Sequence, residues 1–287
     1  MSKQPATRLS SPDRLHGGST STHERYSSIG CRSASHVGDS AINRDDICPA
    51  TSPRSRGERT GPQRRATIES VGDAMADNLT YQSLYSAFMH AGHATSAELL
   101  TQHLLEDPSS TAKGLMKIAE SVLLFVRECV KRGVDGFYMS TQGGEAGRFR
   151  DPSTFGRYIT PSDRAVMDEI QKTCAFNILH VCDYHAAYDD LSPCRAYPGH
   201  VVNCGTRLGS GAMTPSEIAS LFGRPFMGGM DRHGILVTGT KEQIRSEVRA
   251  VCAAAPSPFV LGADCTVPSD IPWDNLKVAI DEAHGGR

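Results

Sequence analysis

From about Asp77 onward, apolar positions recur in two rhythms, a helical one and short strand-like runs, while the preceding stretch holds neither. Tyr81 to Leu105 reads as helical, and Asp107-Pro108 marks the start of a further helix. In "TAKGLMKIAESVLLFVRECVKRG", Leu115, Ile118, Val122, Phe125, Val126 and Cys129 fall at helical spacing, and Gly133 supplies the stop. Strands and helices then alternate. "VDGFYMST" (Val134 to Thr141) reads as a strand, followed by a helix in "TPSDRAVMDEIQKTC" with Thr160 as its cap and Pro161 in its first turn. "FNILHVC" and "HVVNCG" are the next strands. Then come a helix capped by Thr214, the short strand "PFMGGM", a helix capped by Thr240, the strand "FVLGAD" and the closing helix "PWDNLKVAIDEAH".

This order predicts an α/β fold with parallel strands covered by helices. An open doubly wound sheet would satisfy the same pattern, but no G-x-G-x-x-G follows the first strand to support nucleotide binding. The expected architecture is a (β/α)8 TIM-barrel-like domain over residues 77–287, incomplete at about five of eight strands. Residues 1–76 are rich in Ser, Arg, Gly, Thr and Asp, and are expected to form a disordered extension because they hold too little apolar surface to offset ordering entropy. Five parallel strands leave two unpaired edges, so an oligomer or a partner chain covering them is expected.

Composition narrows the function. The chain has 287 residues, 39% of them hydrophobic, and a formal net charge of -2. Neither nucleic acid nor an acidic membrane surface is an expected partner. No apolar run is long enough to cross a bilayer, and Met1 opens no secretory signal, so a cytoplasmic enzyme is expected. Nine cysteines in such a setting read as thiols or metal ligands before they read as a disulfide framework.

Two strand ends carry the candidate chemistry. "NILHVCDYH" places His180 and Cys182 two apart, so both project from one strand face. "VLGADCTVP" places Cys265 at another strand end, from which it reaches the same mouth of a parallel barrel. One imidazole and two thiolates satisfy a catalytic zinc ion that keeps one position open. The same three residues also suit ordinary packing, since free cysteine is a small buried residue and a strand-end histidine can be a hydrogen-bonded core group. Cys194 and Cys204 are the rival ligands.

"NILHVC", "LFGRPFMGGMDRHGILVTGT" and "FVLGADCTVPSDIPWDNLKVAIDEAH" together resemble the uroporphyrinogen decarboxylase superfamily, over roughly Leu79 to His284. That superfamily includes corrinoid-dependent methyltransferases whose zinc ligands are a His-x-Cys pair and a later Cys, matched here by His180, Cys182 and Cys265. The resemblance implies zinc-dependent methyl transfer between a corrinoid carrier (methylcobalamin, free or on a partner protein) and a small thiol acceptor. The chain shows no Asp-x-His-x-x-Gly motif of its own for a corrinoid. The metal-free decarboxylase branch of porphyrin biosynthesis is the alternative. Its Arg motif and its Asp find no counterpart, and Ala263-Asp264-Cys265 stands where that branch has Gly-His-Gly. A truncated, inactive remnant or a binding subunit is the second alternative, because the helices from Tyr81 to Arg132 correspond to the family's connection into its fourth strand.

Further groups cluster at the same predicted strand ends. Asp183 and Asp264 adjoin the two cysteines and are expected to orient ligands. Glu145 is a candidate catalytic acid or fourth ligand, and Gln142 in "STQGGE" a substrate contact, as is Tyr138. Arg232 and His233 in "GGMDRHG" are expected to bind an anionic substrate group.

Overall fold

The computed structural model describes residues 80–285. The extension expected over residues 1–76 lies outside them. Strand β1 (Tyr81–Tyr85) opens the described chain, followed by α1 (Ala87–Ala94), α2 (Ala97–Glu106) and the long α3 (Pro108–Lys131). Strand β2 (Gly136–Thr141) leads through a π-type turn at Phe155–Ile159 into α4 (Thr160–Thr173). Then come β3 (Ile178–Val181), a single 3-10 turn (Ser192–Cys194), β4 (Val201–Cys204) and a small hairpin of β5 (Arg207–Leu208) and β6 (Gly211–Ala212). The chain continues through α5 (Pro215–Phe222), β7 (Phe226–Met230), α6 (Ile235–Thr238), α7 (Lys241–Ala254), β8 (Phe259–Ala263) and α8 (Trp273–Ala283).

Six strands form one sheet in the order β1-β2-β3-β4-β7-β8, every neighbouring pair parallel. The expected α/β architecture is thus present. Among the described residues β1 and β8 do not pair, and they form the two edges. The count of about five strands is corrected to six. Tyr81–Tyr85 is a strand and not the first turn of a helix, because Tyr81 to Tyr85 pair in register with Gly136 to Ser140 and helix begins only where Ser86 caps α1. The hydrogen-bonded ladder overrides an ambiguous local pattern.

Several local signals act as read. Asp107 accepts from the Ser110 amide at 3.0 Å and Pro108 opens α3. Thr214 and Thr240 form reciprocal capping boxes with Glu217 and Gln243. Gly223 ends α5 at φ 63°, in the left-handed region that glycine enters without penalty. Thr160, by contrast, is the first residue of α4 and not its cap; its hydroxyl bonds back to the Phe155 carbonyl at 3.3 Å and extends the preceding turn. On α3 the buried stripe is Leu115, Ala119, Val122 and Val126, while Phe125 turns outward.

The sheet has two different faces, set by strand alternation. Leu84, Phe137, Met139, Leu179, Val181, Val202, Cys204 and Phe226 belong to the large core shared with the helices. Each such large side chain contributes about 1.5–3 kcal/mol by leaving water. The other face carries Ile178, Val201, Met227 and Val260 in a second cluster, flanked by Phe176, Tyr81 and Tyr138. Gly136 lets β2 pass this layer, since a Cβ there would stand 1.6 Å from the Phe176 carbonyl oxygen. Further along, at the C-terminal strand ends, this second face changes from apolar to polar.

Candidate metal centre

β3 carries Ile178 and His180 on one face, and Cys182 follows at the next position of that face. The ladder holds this end in place: the Cys182 amide donates to the Thr141 carbonyl at 3.0 Å. Cys265 arrives from the end of β8, where the Asp264 amide donates to the Met230 carbonyl at 2.9 Å. His180, Cys182 and Cys265 are all buried, and their ligand atoms lie within 4.8 Å of one another. Cys182 Sγ and Cys265 Sγ stand 3.7 Å apart, and Cys265 Sγ is 3.4 Å from His180 Nε2.

These separations can be compared with what zinc requires. Two sulfurs about 2.3 Å from one tetrahedral zinc stand about 3.8 Å apart, and a sulfur and an imidazole nitrogen stand about 3.6 Å apart. A disulfide would need about 2.05 Å between sulfurs. The donor set therefore fits zinc in kind and in spacing. His180 Nδ1 is buried with no hydrogen-bond partner, which leaves the imidazole with unmet capacity in this pocket.

Electrostatics prepare the pair unequally. Hydrogen bonding from Cys182 pushes the Cys265 thiol strongly down, with His180 and Arg232 adding to the shift against burial. Cys182 moves up, through its hydrogen bond to Cys265, its burial and the neighbouring charge. The two shifts run in opposite directions, Cys265 toward its charged form and Cys182 toward its neutral one. Burial is the largest influence on His180 and opposes its charge, yet Cys265, Asp183 and Asn203 together outweigh it and the imidazole is raised.

The surrounding residues divide by what they touch. Gln142 Nε2 donates to Cys182 Sγ at 3.2 Å. The Tyr138 ring stacks on His180 with centroids 5.1 Å apart, and its hydroxyl donates to Asn203 Oδ1. Asn203 Nδ2 in turn donates to the carbonyls of Met227 at 2.9 Å and Ala263 at 3.0 Å, tying three strands beside the site. Glu145 lies apart from the sulfur pair; its carboxylate accepts from Arg148 and from the Gly143 amide at 2.9 Å, and so shapes the loop that carries Gln142. Asp183 and Asp264 both meet Arg232. His233 is exposed, its amide donating to Asp231 Oδ1 at 2.8 Å.

Sequence reasoning passed over three residues here. Met89 of α1 packs with Cys182 and Cys265 in one buried cluster. Tyr85, at the end of β1, has its hydroxyl raised first by burial and then by the charges of those two cysteines. Asn203 was readable as a polar residue inside an apolar strand; the other two depend on β1 being a strand. Cys194 and Cys204 do not join the cluster: both are buried in the helix-facing core.

Residues 82–286 match the family described as uroporphyrinogen decarboxylase (URO-D). Among solved structures, the chain resembles a methyltransferase from Methanosarcina mazei, with a TM-score of 0.62 and 14% identity over 77% of this chain and 62% of that one. It also resembles a B12-independent methionine synthase from Shewanella sp. W3-18-1, with a TM-score of 0.48 and 10% identity over 74% of this chain and 62% of that one. Comparison with curated proteins gives no match. At 14% identity the likeness to the methyltransferase concerns fold alone, and this chain spans 62% of that protein's length.

Proposed function

This chain belongs to the uroporphyrinogen decarboxylase family, and within it we propose that His180, Cys182 and Cys265 hold a zinc ion that serves methyl transfer from a corrinoid carrier to an acceptor thiol. The observation that carries this reading is the buried donor set, two sulfurs 3.7 Å apart with an imidazole nitrogen 3.4 Å from one of them. Their position at the C-terminal strand ends is where parallel α/β barrels keep their chemistry. The family resemblance of the His-x-Cys pair adds the reaction class.

Bound zinc supplies Lewis acidity, which keeps an acceptor thiol ionised at neutral pH. The chain's own residues prepare that ion's seat. Of the two thiols, the surroundings of Cys265 favour its charged form, whereas holding the ion through both sulfurs would require Cys182 to release its proton against its burial. Gln142 donates to the Cys182 sulfur and stabilises its charged form. Tyr138 and Asn203 fix the layer on which His180 lies. Met89 shares one buried cluster with both cysteines and so limits water around them. The overall exchange would break the carbon–cobalt(III) bond and form a carbon–sulfur bond, leaving the carrier as cobalt(I) with the bond's electron pair and releasing the acceptor's thiol proton.

The test uses the full chain loaded with zinc, methylcobalamin as donor and 2-mercaptoethanol as acceptor. Methyl thioether formation that disappears in Cys265→Ser supports the reading. Turnover of uroporphyrinogen by the metal-free chain, without thioether formation, replaces it with decarboxylation.

A further inference from the structure

We propose that Arg232 is a positioning residue that sets the spacing of the two sulfur ligands by bridging the residues beside them; this rests on the zinc reading above. The bridge has one guanidinium and two carboxylates. Arg232 Nη1 meets Asp183 Oδ1 at 2.7 Å and Asp264 Oδ2 at 3.3 Å. Its own amide donates to Asp264 Oδ1 at 2.9 Å, and its Nη2 lies 3.5 Å from the Asp183 carbonyl oxygen. Asp183 follows Cys182 directly, and Asp264 directly precedes Cys265. One side chain at the end of β7 therefore joins the ends of β3 and β8, which are not neighbours in the sheet.

The arrangement is enclosed. The Arg232, Asp183 and Asp264 side chains are 11%, 14% and 20% exposed. The second oxygen of Asp183 is fitted against Gly205, where a Cβ would stand 2.5 Å from it. Arg232 Nε also reaches His233 Nε2 at 3.3 Å. These partners give the guanidinium a structural task, beside the expectation that Arg232 binds an anionic substrate group. Strand-ladder hydrogen bonds fix Cys182 and Cys265 only relative to their own neighbours. The guanidinium adds a tie across that gap beside the contacts of Cys265 Sγ with Cys182 Sγ and His180 Nε2: Nη1 meets both carboxylates while Nη2 approaches the Asp183 carbonyl, a set of contacts spread along one planar group that an ammonium does not reproduce.

Removing the tie also removes a positive charge near the metal, which by itself would favour cation binding. Arg232→Lys separates the two effects, since it keeps the charge and loses the planar group whose Nη1, Nη2 and Nε hold Asp183, Asp264 and His233 together. Zinc affinity is measured by chelator competition on the full chain, with the visible spectrum of the cobalt-substituted protein as a report on the sulfur ligands. Relative to the unaltered chain, Arg232→Met is expected to lose about 10–100-fold in zinc affinity, the range for residues that orient metal ligands. Arg232→Lys is expected to lose about 10-fold, and both to show altered thiolate-to-cobalt bands. Asp264→Asn serves as the independent break if Arg232→Met does not fold. If the unaltered chain, shown to be folded, binds no zinc, the metal reading fails and the positioning role with it. If it binds zinc and the variants match it in affinity and in cobalt spectrum, even with lowered apo-protein melting temperatures, only the positioning role is overturned.

Discussion

Two buried cysteine pairs sit on opposite faces of the same sheet. Cys182 and Cys265 lie at its polar mouth, and Cys194 and Cys204 lie in the helix-facing core. Burial pushes the Cys194 and Cys204 thiols well up, and nothing nearby reverses it. Cys265 is also buried, yet its thiol is pushed down by a hydrogen bond from a second thiol and by an adjacent imidazole. Burial alone therefore does not distinguish a structural cysteine from a ligand. The convergence of donors from separate strands does.

The largest expected effect breaks the comparison outright. Cys182→Ser or Cys265→Ser should cost more than about 100-fold in zinc affinity, beyond the range of outer-shell changes, whereas Cys194→Ala and Cys204→Ala should keep zinc. Metal analysis of the four purified variants decides this; zinc lost equally from all four would erase the distinction.

A second effect tests whether burial governs ionisation in the helix-facing core. Asp163 is buried there and pushed up to about 7 by desolvation, even though the Thr141 and Tyr197 hydroxyls donate to it. Its folded-state pKa lies above the ordinary value of 3.8. Between those values the folded chain keeps a proton that the unfolded chain has lost, so this group's contribution to stability falls as pH rises. Asp163→Asn cannot ionise. Its stability relative to the unaltered chain should rise by about 1.4 kcal/mol per pH unit from about pH 4 to pH 7. Denaturant unfolding across that range would show it, and a difference constant with pH would refute it.

Smaller effects sharpen the same contrast. Cys204→Ala should cost about 1–2 kcal/mol of stability through lost core packing, without changing metal content; thermal melts and zinc analysis together check both halves. Tyr138→Phe removes the hydroxyl that donates to Asn203 and should cost about 1 kcal/mol while leaving the stacking on His180. Measured by the same melts, a loss several times larger would mean that the hydroxyl does more than hold Asn203.

Much of this contrast was legible in the sequence where local rules govern. Thr214, Thr240 and Asp107 announce their helices, and alternation along "NILHVC" puts His180 and Cys182 on one face. Tyr81–Tyr85 was not legible, because five residues with two apolar ends fit a strand or a helical turn until a neighbouring strand is present to pair with them. Losing that strand also hid Tyr85, its last residue, and Met89 in the helix it leads into. The partners of Arg232 were hidden for a related reason: Asp183 and Asp264 are 49 and 32 residues away in the chain, and only the parallel order of β3, β7 and β8 brings them together.

The most direct test of the account is zinc X-ray absorption on the full chain, purified without chelator and loaded with one equivalent of zinc. The account predicts a shell of two sulfurs at about 2.3 Å and nitrogen at about 2.0 Å, with one sulfur lost in Cys265→Ser. A folded chain that takes up no zinc, or zinc bound without sulfur, would contradict it.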